Sequence, residues 1–421
     1  MNIKLGKALL AAALAAAMMP GTAATAQNKK GNLMENNPLM RPGTLPYGAP
    51  DFSKIKGEDY LPALKEGIRQ QREEIARIVA DKAKPTFANT ILAYEKSGLL
   101  LDRVSSIFFA LVSADKTPEI EQAEKEAVPL LTDFENEISF NQRFFQRIKY
   151  VYDHERNTLK GEDRKLLEEV YKKFVRSGVL LPEDKMARMQ QINKRIAALQ
   201  QEFGNMLPKA TNAAAVWVES EGELAGLGAA DIAQCRKDAE SRGGKAPYCI
   251  VITNTTQQPI LASLDNRALR ERVYRASIHR ADGSGDFNTF PIIAKMARLR
   301  AEKARLMDFK DYASYSLDNA MAKNTDNTYR FLKQLIAAYT PKAQAETQAI
   351  EAYARRTMSP DFKLEPYDRF YYSAKMKKEQ YSFSDDDVKP YFNIDSVLVN
   401  GVFYAAHRVY GLSFRQRTDL P

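Results

Sequence analysis

The amino-acid sequence predicts a mainly α-helical protein with one small β-containing insert near residues 212–256. Apolar residues recur at helical spacing, as Tyr60, Leu64 and Ile68 do in the first predicted helix. The composition, with 44% hydrophobic and 27% charged residues, is ordinary for a folded globular protein. Because β-branched and aromatic runs with flanking turn residues occur together only in the insert, the rest of the chain is predicted to be helical.

The clearest helical pattern is an apolar seam with alternating steps of three and four residues. Its members are Met189, Ile192, Ile196, Leu199, Phe203 and Met206. Three heptads are marginal for an independent coiled coil, so packing inside a bundle is the favoured interpretation and an intermolecular coiled coil the alternative. Boundary signals agree: Thr117 can cap a helix that has Pro118 in its first turn, and Gly178 ends the helix before the seam.

The insert and the later helices follow from the same signals. Runs 215–218 and 248–252 are predicted strands, and 228–242 is a predicted helix between them. Further helices are predicted over segments that carry apolar residues at helical spacing: 266–280, 291–307, 325–357 and 397–410. Residues 384–387 look like a capping box before Val388. The last helix is apolar on one face, which predicts a further packing partner.

The N-terminus has the pattern of an export signal. Lys4 and Lys7 precede an apolar run over 8–19, and 24–26 form a small-x-small cleavage pattern before Gln27. The run is shorter than the roughly 20 residues that a membrane-spanning helix needs. A buried N-terminal helix is the alternative. We therefore expect a signal peptide over residues 1–26, export to a periplasm-like space and no membrane anchor after cleavage.

Charge and cysteine content exclude some functions and leave others open. The formal net charge is +9, but Lys and Arg are interspersed with acids rather than clustered with aromatics, so no nucleic-acid partner is predicted. Cys235 and Cys249 could form a disulfide in an oxidising compartment or remain a free buried pair. Their spacing fits no zinc ribbon.

No residue is predicted to be catalytic or to bind a metal. His154-Glu155 begins like the zinc motif H-E-x-x-H, but Thr158 stands where the second histidine is needed. His154 is expected to be exposed in a charged loop, and His279 has no carboxylate at a ligand spacing. His407, among apolar residues, is expected to be a hydrogen-bonded packing residue. The chain also lacks a G-x-S-x-G elbow and a phosphate-binding loop.

Five segments, taken together, resemble one family. They are Asn266 to Ala276, Leu299 to Ala304, Glu365 to Tyr372, Lys389 to Phe403 and Arg417 to Pro421. Their order and spacing resemble the peptidyl-dipeptidases (dipeptidyl carboxypeptidases), which are relatives of thimet oligopeptidase and neurolysin. The resemblance covers nearly all of the chain after the predicted signal.

The resemblance implies two helical lobes around a channel that admits only short peptides. It also implies a zinc ion held by the histidines of H-E-x-x-H and a downstream glutamate, with release of C-terminal dipeptides. The family's zinc motif lies beyond the segment that matches Pro421, so none of its ligands can be assigned here. Zinc is therefore expected in the complete family member and not in this chain alone.

With the family in view, the predicted organisation has five parts. Residues 1–26 are the signal peptide, 27–50 a linker, 51–211 an N-terminal helical domain and 212–260 the small α/β insert. Residues 261–421 are the start of the peptidase catalytic domain, ending before the zinc motif.

Two functional hypotheses follow. The favoured one is an incomplete peptidase, as a truncated gene product, a partial sequence, or half of a split enzyme whose second chain carries the zinc half. The alternative is a stand-alone helical protein that binds short peptides without catalysis.

Overall fold

The protein is described here from a computed structural model covering residues 36–382 and 385–418, without the side chains of Asp385 and Asp386. The predicted signal peptide and the residue Ser384 of the predicted capping box lie outside the described residues. Helices dominate, which confirms the predicted fold class. The described chain divides into two compact units.

Among the described residues, the first unit contains 36–200, Met296–Tyr315 and 417–418. Its helices, in chain order, are α1 (Gly57–Ala80), α2 (the π-helical Phe87–Leu92 continuing as Ala93–Glu95), α3 (Leu99–Ala114), α4 (Pro118–Ser139), α5 (Gln142–Glu155), α6 (Gly161–Ser177) and α7 (Glu183–Ala213), whose last part belongs to the second unit. Thr117 caps α4 by accepting a hydrogen bond from the Ile120 N–H, as predicted. Gly178 ends α6 with a left-handed φ of 99°.

The core of the first unit is built on the predicted apolar face of α1. Tyr60, Leu64 and Ile68 are buried, and the Tyr60 ring lies 5.2 Å from that of Phe108 on α3. The stretch Phe87–Ala114 is long and apolar enough to cross a membrane by composition alone. In the structure it is broken before α3, and residues such as Phe108 pack into the core, as in many soluble proteins.

The predicted seam packs within the chain from Met189 to Leu199, where Ile196 is half buried. Met189, Ile192 and Leu199 are fully buried. Phe203 and Met206 are only half buried. The bundle interpretation is therefore confirmed for the part of α7 that carries the buried residues.

The second unit contains Gln201–Lys295 and Ser316–Gln416. Strands β1 (Val216–Val218) and β2 (Tyr248–Ile250) pair antiparallel, with Val216 opposite Ile250, and α8 (Ala229–Ser241) lies between them in sequence. These elements confirm the predicted β-containing insert. Cys235 and Cys249 are both buried free thiols, and burial raises the pKa of the Cys235 thiol to about 11.

The later helices are α9 (Gln257–Ser263), α10 (Arg267–Ile278), α11 (Phe290–Leu306, whose second part belongs to the first unit), α12 (Tyr312–Leu317), α13 (Thr325–Thr357) and α14 (Arg369–Tyr381). Helices α10, α11 and α13 follow predicted segments closely, whereas α9, α12 and α14 were not predicted. The last helical stretch runs through Ile394–Ser396, the π-helical Val397–Phe403 and Tyr404–Tyr410.

Part of the predicted linker is anchored to α1. Leu39 is buried, and the Asn37 side chain donates a 2.7 Å hydrogen bond to the Asp59 carbonyl. Residues 37–39 of the predicted linker therefore pack on the first unit.

A close approach between α1 and α3 generates a stability prediction. A Cβ on Gly67 would lie 2.8 Å from the Leu101 Cα, which is backbone and cannot turn away. Gly67→Ala should therefore lower the free energy of unfolding by about 1–3 kcal/mol. The control Gly204→Ala, at a helical position with open space around it, should raise stability by up to about 1 kcal/mol. Urea unfolding followed by circular dichroism measures both; equal effects would contradict the packing described.

Candidate functional site

His154 lies in the last turn of α5, not in the loop that the sequence analysis expected. Its ring is exposed, its Nδ1 donates to the Tyr150 carbonyl at 2.8 Å, and it stacks on the Tyr150 ring. The neighbouring Glu155 carboxylate accepts a hydrogen bond from the Phe87 N–H at 2.9 Å. The pair that resembles the start of a zinc motif thus has ordinary structural contacts.

His279 does have a carboxylate partner, so the sequence expectation was wrong here. The loop after α10 turns back, and Nδ1 of His279 lies 2.6 Å from Oδ2 of Asp282. Hydrogen bonds from Ser284 and from His279 lower the pKa of Asp282 to about 2. Because the Ser284 hydroxyl donates to the carboxylate rather than to the imidazole, this is not an activated nucleophile.

His407 is hydrogen bonded, as expected, but it is not a packing residue. It lies on the exposed Tyr404–Tyr410 segment, and its Nδ1 donates to the Leu412 carbonyl at 3.0 Å. The contact holds the chain that leaves this helix.

The described residues do not fit a zinc site. Across 36–382 and 385–418, no three His, Cys, Asp or Glu side chains come close enough together to hold a metal ion. The three histidines have separate partners, namely a carbonyl, one carboxylate and another carbonyl. A zinc centre needs three or four such ligands around one point, so we derive no metal chemistry from these side chains.

Two of the family-like segments meet in a buried ionic cluster, which we call the Asp368 cluster. Asp368 is fully buried, and its carboxylate accepts hydrogen bonds from Arg270 at 2.9 Å and from Arg267 at 2.7 Å. Arg270 is 1% exposed. Its Nη1 donates to the carbonyls of Leu264 and Asp265 at 2.8 and 3.0 Å. The cluster joins the start of α10 to the start of α14.

Aromatic rings complete the cluster. The Arg270 guanidinium lies 4.1 Å from the centroid of the Tyr371 ring, and that of Arg267 lies 4.6 Å from the Phe362 ring. Guanidinium groups favour such positions over a π face. The Tyr371 hydroxyl donates to the Asp265 carboxylate at 2.7 Å.

The electrostatics of the cluster favour a permanent charge on the carboxyl group. Burial alone would raise the pKa of Asp368, but hydrogen bonds from Arg267 and Arg270 outweigh it and hold the pKa below the ordinary value. A general acid or base needs a pKa near the working pH. Asp368 has the opposite properties, so the cluster is a structural junction.

A shallow depression lies on the surface of the first unit. It has a volume of about 550 Å³ and is lined by Lys185, Arg298, Glu302, Arg305 and Leu306. Arg188 holds the Glu302 carboxylate at 2.6 and 2.9 Å. The lining therefore offers positive charge but no nucleophile and no free pair of carboxylates.

Comparison with known proteins gives a consistent family relationship. The profile of Peptidase family M3 matches residues 260–421. The dipeptidyl carboxypeptidase of Escherichia coli (strain K12) is 33% identical over 386 residues, which are 91% of this chain and 56% of that protein. Its Salmonella typhimurium counterpart is 32% identical over 92% of this chain and 57% of that protein. Oligopeptidase A of Escherichia coli is 30% identical over 91% of this chain and 56% of that protein.

The predicted family resemblance is therefore confirmed: the M3 profile matches residues 260–421, and the similarity to the dipeptidyl carboxypeptidase of Escherichia coli extends over 91% of the chain. The relatives that share this similarity include both dipeptidyl carboxypeptidases and oligopeptidases A. The chain spans about half the length of the curated relatives it matches.

The Asp368 cluster generates a stability prediction. Asp368→Asn leaves the buried Arg270 guanidinium without its counter-charge and should lower the free energy of unfolding by about 3–5 kcal/mol. The matched control is Glu379→Gln, on α14, whose partner Arg356 forms an exposed pair with it at 2.7 Å. That change should have little effect on stability, because water screens an exposed ion pair. Similar losses in both variants, measured by urea unfolding, would contradict a special role for the cluster.

The lowered pKa of Asp368 also predicts a pH dependence. Its contribution to stability is fully present above the unfolded-state pKa, about 3.9, and is lost as the pH falls through the folded-state pKa. The wild-type chain should therefore lose more stability than Asp368→Asn between pH 5 and pH 2, when both are measured by denaturant unfolding. Parallel pH profiles would show that the pKa of Asp368 is not lowered in the folded state.

Proposed function

We propose that this chain is part of an exported zinc metallopeptidase that hydrolyses short peptides and releases C-terminal dipeptides. The observation that carries the proposal is the similarity to two dipeptidyl carboxypeptidases at 32–33% identity over 91–92% of the chain. Oligopeptidase A is similar at 30% identity, so peptide hydrolysis rests on more relatives than dipeptide release does.

The chain's own part in this function is to build helical scaffold and channel wall. Its helices have well-packed cores in both units, and the family-like segments around Asp368 hold structure together. In a peptidase of this class, helical walls restrict access to short, unfolded peptides. This chain would supply some of those walls.

The zinc chemistry is proposed to come from sequence outside this chain. A bound zinc activates water for attack on a peptide carbonyl. Since the described side chains do not fit such an ion, we assign no catalytic step to them. The chain by itself is therefore proposed to be inactive.

Export is proposed from the N-terminal sequence pattern. A basic start, a short apolar run and a small-x-small site are together typical of a cleaved signal peptide. The dipeptidyl carboxypeptidase similarity is compatible with a periplasmic peptidase, while oligopeptidase A leaves a cytosolic location as the alternative.

The proposal is tested by comparing the chain alone with the chain completed. The purified chain should contain far less than one zinc per molecule by elemental analysis and should not cleave a blocked tetrapeptide. Co-expression with the polypeptide encoded directly after the Pro421 codon should yield zinc binding and release of a C-terminal dipeptide, detected by mass spectrometry. Stoichiometric zinc and hydrolysis by the chain alone would contradict the proposal, as would an inactive completed pair.

A further inference from the structure

The first half of α13 carries an apolar stripe without a partner among the described residues. Tyr329, Leu332, Ile336 and Tyr339 follow one another at steps of three, four and three residues, which places them on one helix face. Their side chains are between 44% and 66% exposed. Burial of large apolar side chains is the main driving force of packing, so such a stripe indicates a missing contact.

The C-terminal end of α13, in contrast, has packing partners within the second unit. Ile350 and Ala354 are buried, and they pack against Tyr372 of α14. The helix is therefore anchored at its C-terminal end, while the stripe lies on the part that extends from this anchor. The face opposite the stripe carries Arg330 and Gln334, and the exposed Phe331 lies at the edge of that face.

Exposed apolar groups in this unit are not confined to the stripe. On the segment that ends the described chain, large apolar side chains that are more than half exposed include Tyr391, Phe392, Ile394, Val402, Tyr404, Val409 and Tyr410. A partner of considerable size is needed to cover so many side chains. Both sets lie within residues 260–421, where the chain matches the M3 profile.

We infer that the stripe on α13 is a docking surface for a helix of the remaining M3 peptidase polypeptide, which this chain does not contain. This inference rests on the proposed function. The spacing of the stripe is that of a helix–helix seam, which favours a helical occupant. The comparison with relatives indicates what the occupant is. The chain covers only 56–57% of their length, while nearly all of its own length matches them.

The test uses the tagged full chain co-expressed with the untagged polypeptide encoded directly after the Pro421 codon. The two should co-purify in equal amounts. Ile336→Asp places a charge in the centre of the stripe, at a side chain that is 62% exposed, and should reduce co-purification at least tenfold. Gln334→Asp is the matched control, because it adds the same charge to the opposite face, and it should leave co-purification unchanged.

A second readout shows where the contact forms and whether the variants fold. Hydrogen exchange of the amides in 325–339 should slow in the pair and not in the chain alone. Circular dichroism of the chain alone should be the same for both variants, because neither position is buried. Failure to co-purify, equal capture of both variants, or unchanged exchange in 325–339 would overturn the inference.

Self-association is a distinct outcome of the same experiment. A stable dimer of the chain alone that Ile336→Asp dissociates would show that the occupant is a second copy, and would overturn the inference. Because co-purification is scored without activity, a pair that forms through the stripe but cleaves no peptide would contradict the proposed function and leave the docking surface supported.

Discussion

Burial of the Asp368 carboxylate is the constraint on which the second unit depends. A charged group removed from water costs several kcal/mol unless it is paired and hydrogen bonded. Arg270 supplies the pairing from a position 98 residues earlier in the chain, and Arg267 adds a second guanidinium. The second unit is built from two stretches of chain, Gln201–Lys295 and Ser316–Gln416, and this cluster joins them.

This constraint explains what the family-like segments of the chain do. Asn266 caps α10, and Arg267 and Arg270 stand in its first turn. Tyr371 and Tyr372 lie beside the Arg270 guanidinium. In this chain these family-like residues hold the scaffold of the second unit together, and among the described side chains they form no metal site.

The fold was largely predictable from local patterns, whereas its long-range contacts were not. Helix caps such as Thr117 and left-handed ends such as Gly178 act within one turn, so sequence spacing reveals them. The pairing of Arg270 with Asp368 depends on how distant segments fold, and no periodicity reports it. The sequence offered one indication of this contact. The segment that carries Arg270 and the segment that carries Asp368 both resemble the same family.

The histidines show the same limit at the level of a site. The missing second histidine after His154 could be read directly, because the zinc motif is local to one helix. The His279–Asp282 contact could not, since it depends on a loop whose Ala281 and Gly283 adopt positive φ angles of 58° and 92°. The exposure of His407 likewise depends on contacts of the last helix that apolar spacing alone does not specify.

A double-mutant cycle tests most directly whether the ion pair between Arg270 and Asp368 stabilises the second unit. Arg270→Met, Asp368→Leu and the double variant are compared with the wild-type chain by urea unfolding. Each single change should cost about 3 kcal/mol or more, and the double variant should recover a large part of the loss because no charge is left buried alone. Additive losses, with a coupling energy near zero, would contradict the claim that this ion pair holds the second unit together.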